Sequence, residues 1–151
     1  MDACDISRRP AAPEGNPADG AIADMLRQSR RIAVIGISAK PGRPSLDVAH
    51  YLMDHGYEVV PVNPQLKQWE GLTCYPSLNE VPGPVDIVDI FRKPDSIGEL
   101  VEEIVAKKPG CAWLQLGIVN NDASGKIRQA GIATVQDRCI KIEHARLIGG
   151  D

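Results

Sequence analysis

Short apolar runs alternate with segments of helical periodicity along most of this chain. The apolar runs occupy residues 31–36, 57–62, 85–91, 111–116 and 132–135. A continuous apolar run suits a strand that is covered on both faces, as in a parallel sheet. Between two such runs, Leu46, Ala49 and Leu52 recur at helical spacing. The alternation predicts the α/β class: a Rossmann-like, doubly wound, mostly parallel sheet of five to six strands with helices on both faces.

The domain organisation follows from length and from the first residues. Residues 1–18 are rich in Pro, Ala, Gly and charge and have no apolar period, so we predict a disordered tail. Residues 19–151 are predicted to form one domain, because 151 residues fit a single domain. Asp19 and Ser45 are the predicted N-caps of the first two helices.

Charge and composition exclude several classes of partner. The formal net charge of −3 argues against broad electrostatic binding to nucleic acid or to a membrane surface. No stretch approaches the roughly 18–20 apolar residues that span a bilayer, and the expected compartment is the cytoplasm. Cys4, Cys74, Cys111 and Cys139 lie far apart and predict neither a metal site nor a disulfide framework.

The segment from Gly36 to Ser45 is the strongest candidate for a ligand site. In doubly wound sheets the ligand lies beyond the carboxyl ends of the strands, where strand order reverses. We place that reversal between the runs 31–36 and 85–91. The segment leaves the first run and enters a helix, whose N-terminal N–H groups attract anions. Its Lys40 and Arg43 add positive charge, so the predicted ligand carries a diphosphate.

The sequence motifs limit which diphosphate-containing ligands the loop could bind, but they do not select a single ligand. The loop matches neither G-x-x-x-x-G-K-[ST] nor G-x-G-x-x-G. The second apolar run ends in Val62-Asn63-Pro64, with Lys67 close behind. NAD-binding domains usually place an acidic residue there to hold the ribose diol. An amide and a lysine favour an extra phosphate on the ribose, which leaves NADP and coenzyme A.

Six blocks of sequence resemble the stand-alone CoA-binding domain family, which is similar to the N-terminal domain of the succinyl-CoA synthetase alpha subunit. They occur in family order and together cover roughly residues 20 to 147. The blocks are residues 34–38, 40–45, 59–64, 86–92, 113–117 and 137–144. The resemblance implies a Rossmann domain with coenzyme A, or an acyl-CoA, across its switch point.

The resemblance also implies site residues in this chain. The diphosphate would be held by Gly36, Ser38, Lys40, Gly42, Arg43 and Ser45. Asn63, Pro64 and Lys67 would border the adenosine ribose and its 3′-phosphate. Phe91 and Arg92 would line the opposite wall of the site. Gln115 and Gly117 would lie along the path of the pantetheine arm.

No constellation of acid, base and nucleophile accompanies these residues. His144 is expected to be a structural histidine, and Cys139 would need exposure and a lowered pKa to react. Asp86 and Asp89, three residues apart on a strand, point to opposite faces. We therefore predict a non-catalytic protein that binds coenzyme A. The alternatives are a CoA-dependent enzyme using Cys139, an NADP-linked oxidoreductase, and a regulatory or partner subunit of an acyl-CoA ligase-like system. The oligomeric state is not indicated.

Overall fold

The computed structural model describes residues 12–149. Within that range the chain forms five α-helices and seven β-strands. The helices are α1 (Asp19–Gln28), α2 (Pro44–Asp54), α3 (Val101–Lys107), α4 (Asn121–Gln129) and α5 (Ile140–Leu147). The strands are β1 (Arg31–Ile35), β2 (Glu58–Val62), β3 (Gln68–Trp69), β4 (Leu72–Thr73), β5 (Ile87–Ile90), β6 (Cys111–Leu114) and β7 (Ala133–Val135).

Five of these strands form one parallel sheet in the order β2-β1-β5-β6-β7. The order reverses between β1 and β5, where the sequence places the switch point. The short strands β3 and β4 pair antiparallel and form a separate hairpin. The predicted α/β, doubly wound fold is confirmed.

Helices cover the sheet on both faces because each strand carries apolar side chains in both directions. One core layer joins Ala33, Val88 and Ala112 of the sheet to α3 and α4. The other joins Val34 and Trp113 to α1, α2 and α5. The carboxyl ends of the strands therefore lie at one edge of the sheet, between the two core layers.

Two predicted helix caps are wrong, Asp19 by one residue and Ser45 by two. The N-cap of α1 is Ala18, and the Asp19 carboxylate instead bonds the Arg146 guanidinium at 2.8 and 2.9 Å. The N-cap of α2 is Arg43, because Pro44 takes the first helical position, where its missing N–H costs nothing. Neither α1 nor α2 has a side-chain cap.

Residues 12–18 lie against the domain, although the sequence predicted a disordered tail through residue 18. The side-chain amide of Asn16 donates to the Gln136 carbonyl at 3.0 Å, and its Oδ1 accepts the Gln136 N–H at 2.7 Å. The Glu14 N–H donates to Asn121 Oδ1 at 2.9 Å. Residues 1–11 of the predicted tail lie outside the described residues.

Among the helices of residues 12–149, none combines the length and apolar character needed to cross a bilayer.

Candidate ligand-binding groove

Gly36 lies where β1 and β5 diverge at the switch point. Its N–H donates to the Val62 carbonyl at 2.9 Å, and the Phe91 N–H donates to the Ile35 carbonyl at 2.9 Å. Its φ is +83°, and a Cβ at this position would overlap the carbonyl oxygen of Phe91. Only glycine allows the chain to turn here so close to another backbone.

The loop that follows is held by its own side chains. Ser45 is buried, and its Oγ accepts the Ser38 N–H at 3.0 Å. The Ser38 Oγ accepts the Lys40 N–H at 3.0 Å. Trp69, buried beneath the loop, donates its indole N–H to the Ser38 carbonyl at 3.0 Å. The two serines predicted to bind a diphosphate therefore also shape the loop that would hold it.

Asn63 joins the loop to the turn after β2. Its side-chain amide donates to the Ile37 carbonyl at 2.7 Å, and its Oδ1 accepts the Gln65 N–H at 2.8 Å. An acidic residue could accept from Gln65 but could not donate to Ile37. The amide that replaces the usual acid after the second strand thus has a structural role in this fold.

Two cavities meet at Asn63 and Gln65 and form one groove along the carboxyl ends of β1 and β2. The first, of about 360 Å³, lies between this turn, Arg92 and the residues that precede and begin α3. The second, of about 520 Å³, lies against the loop itself. The first is lined by Ile35, Gly36, Val62, Asn63, Pro64, Gln65, Pro76, Ser77, Leu78, Arg92, Leu100 and Glu103. The second is lined by Ser38, Ala39, Lys40, Pro41, Arg43, Asn63, Gln65 and Leu66.

Positive charge is concentrated on the groove. Lys40 and Arg43 line the second cavity and Arg92 lines the first. None of the three has an ion-pair partner among residues 12–149. The N-terminus of α2, whose first N–H groups lack helical partners, begins at the end of the loop. These cations and the helix N-terminus suit an anion with more than one phosphate.

Some predicted site residues line neither cavity of the groove. Gln115 is only 4% exposed, and its side-chain carbonyl accepts the Ile140 N–H at 3.0 Å. Gly117 donates its N–H to Asp137 Oδ1 at 2.7 Å. Neither residue lines the two cavities, nor do Gly42, Ser45, Phe91 and Lys67. Gly42 and Ser45 belong to the loop, Phe91 directly follows β5, and Lys67 is exposed next to the groove residue Leu66.

Other groove residues were not predicted from the sequence. Those farthest in sequence from the predicted site segments are residues 76–78, which include the start of a 3₁₀ segment, and Leu100 and Glu103 around the start of α3. No motif marks them. Only the strand order, which places β2 and β5 on either side of β1 with their carboxyl ends at the same edge of the sheet, brings them beside the loop.

The residues considered for catalysis have other partners. Glu143 pairs with Arg146 at 2.7 Å and with Arg138 at 3.3 Å. His144 is buried, with its Nδ1 at 2.8 Å from the Tyr51 hydroxyl, and burial together with nearby His55 lowers its pKa. The two adjacent residues thus form no acid–base pair with each other.

Comparison with known proteins gives this groove a family context. The family model described as "CoA binding domain" matches residues 30–145, which include the loop, the turn after β2 and the end of β5. The chain belongs to the CoA-binding domain family. The resemblance predicted from the sequence blocks is therefore confirmed.

Three relatives show how far the similarity reaches. The uncharacterized protein YneT of Bacillus subtilis is 38% identical over 130 residues, covering 86% of this chain and 96% of YneT. A solved structure of a hypothetical protein from Pyrococcus horikoshii has a TM-score of 0.86 and 38% identity, covering 93% of this chain and 99% of that one. An ADP-forming acetate–CoA ligase of Archaeoglobus fulgidus is 31% identical over 80 residues, which are 52% of this chain and 12% of the ligase. This family member is thus comparable in length to YneT and much shorter than the ligase.

Proposed function

We propose that this member of the CoA-binding domain family binds coenzyme A, free or acylated, in the groove beside Gly36, and that it acts by binding rather than by catalysis. The observation that carries the proposal is the joining of two cavities at Asn63 and Gln65, next to Lys40 and Arg43, which have no ion-pair partner within residues 12–149. An extended ligand with a diphosphate in its middle matches that arrangement. The loop takes the diphosphate, and the cavity in front of α3 takes the adenosine.

The walls of the first cavity support this orientation. Leu78 and Leu100 contribute apolar surface, and Pro76 lies beside them. An aromatic base needs such flat apolar contacts together with a few polar groups at its edge. Ser77 and Glu103 supply those polar groups, and Glu103 is fixed by the Asn79 N–H at 3.3 Å.

The role of binding alone is supported by the partners of the reactive side chains. His144 and Glu143 are engaged with Tyr51 and with two arginines. Cys139 is the N-cap of α5 and is partly covered by the core layer that contains Trp113. None of these side chains lines either cavity of the groove.

Removing the loop cation Arg43 should weaken coenzyme A binding without unfolding the protein. Arg43 is exposed, lines the second cavity and precedes α2 without a side-chain cap. For Arg43→Gln we expect the Kd for coenzyme A to rise about tenfold, the loss of one charge-assisted hydrogen bond to phosphate. Calorimetric titration measures the Kd, and urea denaturation should show an unchanged midpoint.

Lys126→Gln is the matched control, since it removes one exposed lysine from α4. Its Kd should equal that of the unaltered protein. Equal Kd values for Arg43→Gln and Lys126→Gln would contradict the assignment of the diphosphate to the loop.

The 3′-phosphate of coenzyme A should be recognised by Lys67. This lysine is exposed and follows Leu66 of the second cavity. We expect the unaltered protein to bind coenzyme A about tenfold more tightly than dephospho-coenzyme A, and Lys67→Gln to remove most of that preference. Parallel titrations with the two ligands measure it. Equal affinities in the unaltered protein would refute the role of Lys67 while leaving the groove itself in place.

A further inference from the structure

A second polar cavity lies at the opposite end of the sheet from the groove. Arg30 directly precedes β1 and Tyr57 directly precedes β2, so the cavity is at the amino ends of these strands. Its volume is about 290 Å³. It is lined by Leu26, Arg27, Ser29, Arg30, His55, Gly56, Tyr57, His144 and Ile148, and we call it the His144 cavity.

His144 faces this cavity with one unsatisfied nitrogen. The residue is only 4% exposed, and its Nδ1 is 2.8 Å from the Tyr51 hydroxyl. Its Nε2 makes no hydrogen bond to any residue in the described part of the chain. When the hydroxyl donates to Nδ1, the neutral ring carries its proton on Nε2 and can donate it to a ligand.

His55 is oriented by the same tyrosine. Its Nδ1 donates to the Tyr51 carbonyl at 2.8 Å, and its ring stacks on the Tyr51 ring with centroids 3.9 Å apart. The centroids of His55 and His144 are 5.1 Å apart. Tyr51 therefore orients both imidazoles through their Nδ1 atoms, and both Nε2 atoms remain available to contact a ligand. Side chains that contact a ligand are often held in place in this way by supporting residues, whereas core side chains are held by packing alone.

Two arginines complete the lining. Arg30 is exposed, and its guanidinium has no partner within residues 12–149. Arg27 has only a 3.7 Å contact with Asp24, both side chains being more than half exposed. Exposed pairs of this kind contribute little. The charged and titratable groups around the imidazoles are Arg27, Arg30, Tyr51, Tyr57 and Lys141, which lies over the Tyr51 ring.

Three helices end near the cavity, and their carboxyl ends would by themselves repel an anion. Some carbonyls in the last turns of α1 and α5 already accept hydrogen bonds. Leu26 accepts from the Tyr57 hydroxyl, Met25 accepts from the Ser29 N–H at 3.0 Å, and His144 accepts from the Ile148 N–H at 2.8 Å. Against this repulsion, the side chains that line the cavity bring two cations, Arg27 and Arg30, and no carboxylate.

We propose that the His144 cavity binds a tetrahedral oxyanion of the sulfate or phosphate class, held by Arg30, by the Nε2–H of His144 and by the Nε2 of His55, which donates when that ring carries a proton on both nitrogens. The site is separate from the groove and does not depend on coenzyme A binding. A free anion and the phosphate of a small phosphomonoester share this chemistry. The cavity volume of about 290 Å³ accommodates either.

The test is a titration of the protein with sodium sulfate, followed by amide NMR at constant ionic strength set with sodium chloride. Sulfate keeps its charge between pH 6 and pH 8, so pH changes report on the protein. We expect saturable shifts at Ser29, Arg30 and Gly56. Shifts at Ala39 and Gly42 would instead report sulfate in the groove, so the two sites are read separately in one experiment. Inorganic phosphate and glycerol phosphate, titrated in the same way, distinguish a free anion from a phosphomonoester.

The variants are chosen so that folding is preserved. Arg30→Gln and His55→Gln should each raise the Kd for sulfate at least about tenfold, as expected for a charge-assisted hydrogen bond, and Lys126→Gln should leave it unchanged. Affinity should increase from pH 8 to pH 6, because protonating an imidazole adds a charge and an N–H donor. Shifts that do not saturate, or that are the same in Arg30→Gln, would overturn the proposal. So would saturable binding of Zn²⁺ at these amides that strengthens with rising pH, the behaviour of a two-histidine metal site.

Discussion

Replacing Gly36 with alanine is expected to lower the free energy of unfolding by more than about 3 kcal/mol and to abolish coenzyme A binding. The left-handed backbone accounts for about 1–2 kcal/mol of this loss for a residue with a Cβ. The remainder comes from overlap of the new methyl group with the Phe91 carbonyl oxygen, which is backbone and cannot rotate away. Relief of the overlap requires the ends of β1 and β5 to separate, and the groove opens at those ends. Urea denaturation and calorimetric titration measure the two effects.

Gly131→Ala is the control for conformation alone. Gly131 has a φ of +88°, and nothing lies within 4 Å of the Cβ it would gain. This variant should lose only about 1–2 kcal/mol, the cost of the left-handed backbone, and bind coenzyme A normally. If Gly36→Ala were no more damaging than Gly131→Ala, the close approach of the two strands would not be the reason for glycine at the switch point.

Asp89 should make the stability of the protein fall as pH rises above about 4. Its side chain is fully buried in the middle of the sheet, between Val34 and Trp113 in register, and neither carboxyl oxygen has a hydrogen-bond partner within residues 12–149. Burial raises the pKa of Asp89 well above its ordinary range. Burial also raises the pKa of the nearby Cys111 thiol to about 12, and the negative charge of Asp89 adds to this effect.

The sign follows from proton linkage. Between the ordinary aspartate pKa and the raised pKa of the folded protein, the native state holds a proton that the unfolded chain has released. Stability is therefore greatest below the ordinary pKa and falls by up to about 1.4 kcal/mol per pH unit until the raised pKa is passed. The Asp89→Asn variant has no carboxyl group to protonate, so its stability lacks this dependence on pH. We expect this variant to match the unaltered protein near pH 4 and to be more stable at pH 7, with the difference growing by up to about 1.4 kcal/mol per pH unit until the raised pKa is passed.

Urea denaturation at a series of pH values measures this difference, and the exposed Asp95→Asn is the control. Subtracting the Asp95→Asn curve removes the general effect of losing one carboxylate. A stability difference between the unaltered protein and Asp89→Asn that stays constant from pH 4 to pH 8 would show that Asp89 is ionised in the folded protein.

The sheet and its switch point could be predicted because they rest on local patterns. Each apolar run contains a strand that is covered on both faces, and the alternation of strands and helices leaves few possible topologies. The cap of α2 was misplaced because Ser45 is a common cap residue, whereas here the preceding proline begins the helix and the hydroxyl turns inward to Ser38. Local propensity was outweighed by the needs of the loop.

Contacts between residues far apart in sequence could not be predicted. Asn16 and Gln136 are separated by 120 positions and bond twice, so a segment that reads as disordered lies against the end of β7. The environment of Glu103 depends in the same way on strand order. The resemblance places Gln115 along the pantetheine path, and its hydrogen bond with the first residue of α5, 25 positions away, is likewise a contact that the sequence does not reveal.

The most direct test of the central proposal is a pair of calorimetric titrations of the purified protein, one with coenzyme A and one with NADP. These are the two ligands that the turn after β2 and the loop charges leave open. We expect coenzyme A to bind at one site per chain with micromolar or better affinity, and NADP to bind at least a hundredfold more weakly. Tight binding of NADP together with weak binding of coenzyme A would contradict the proposed function.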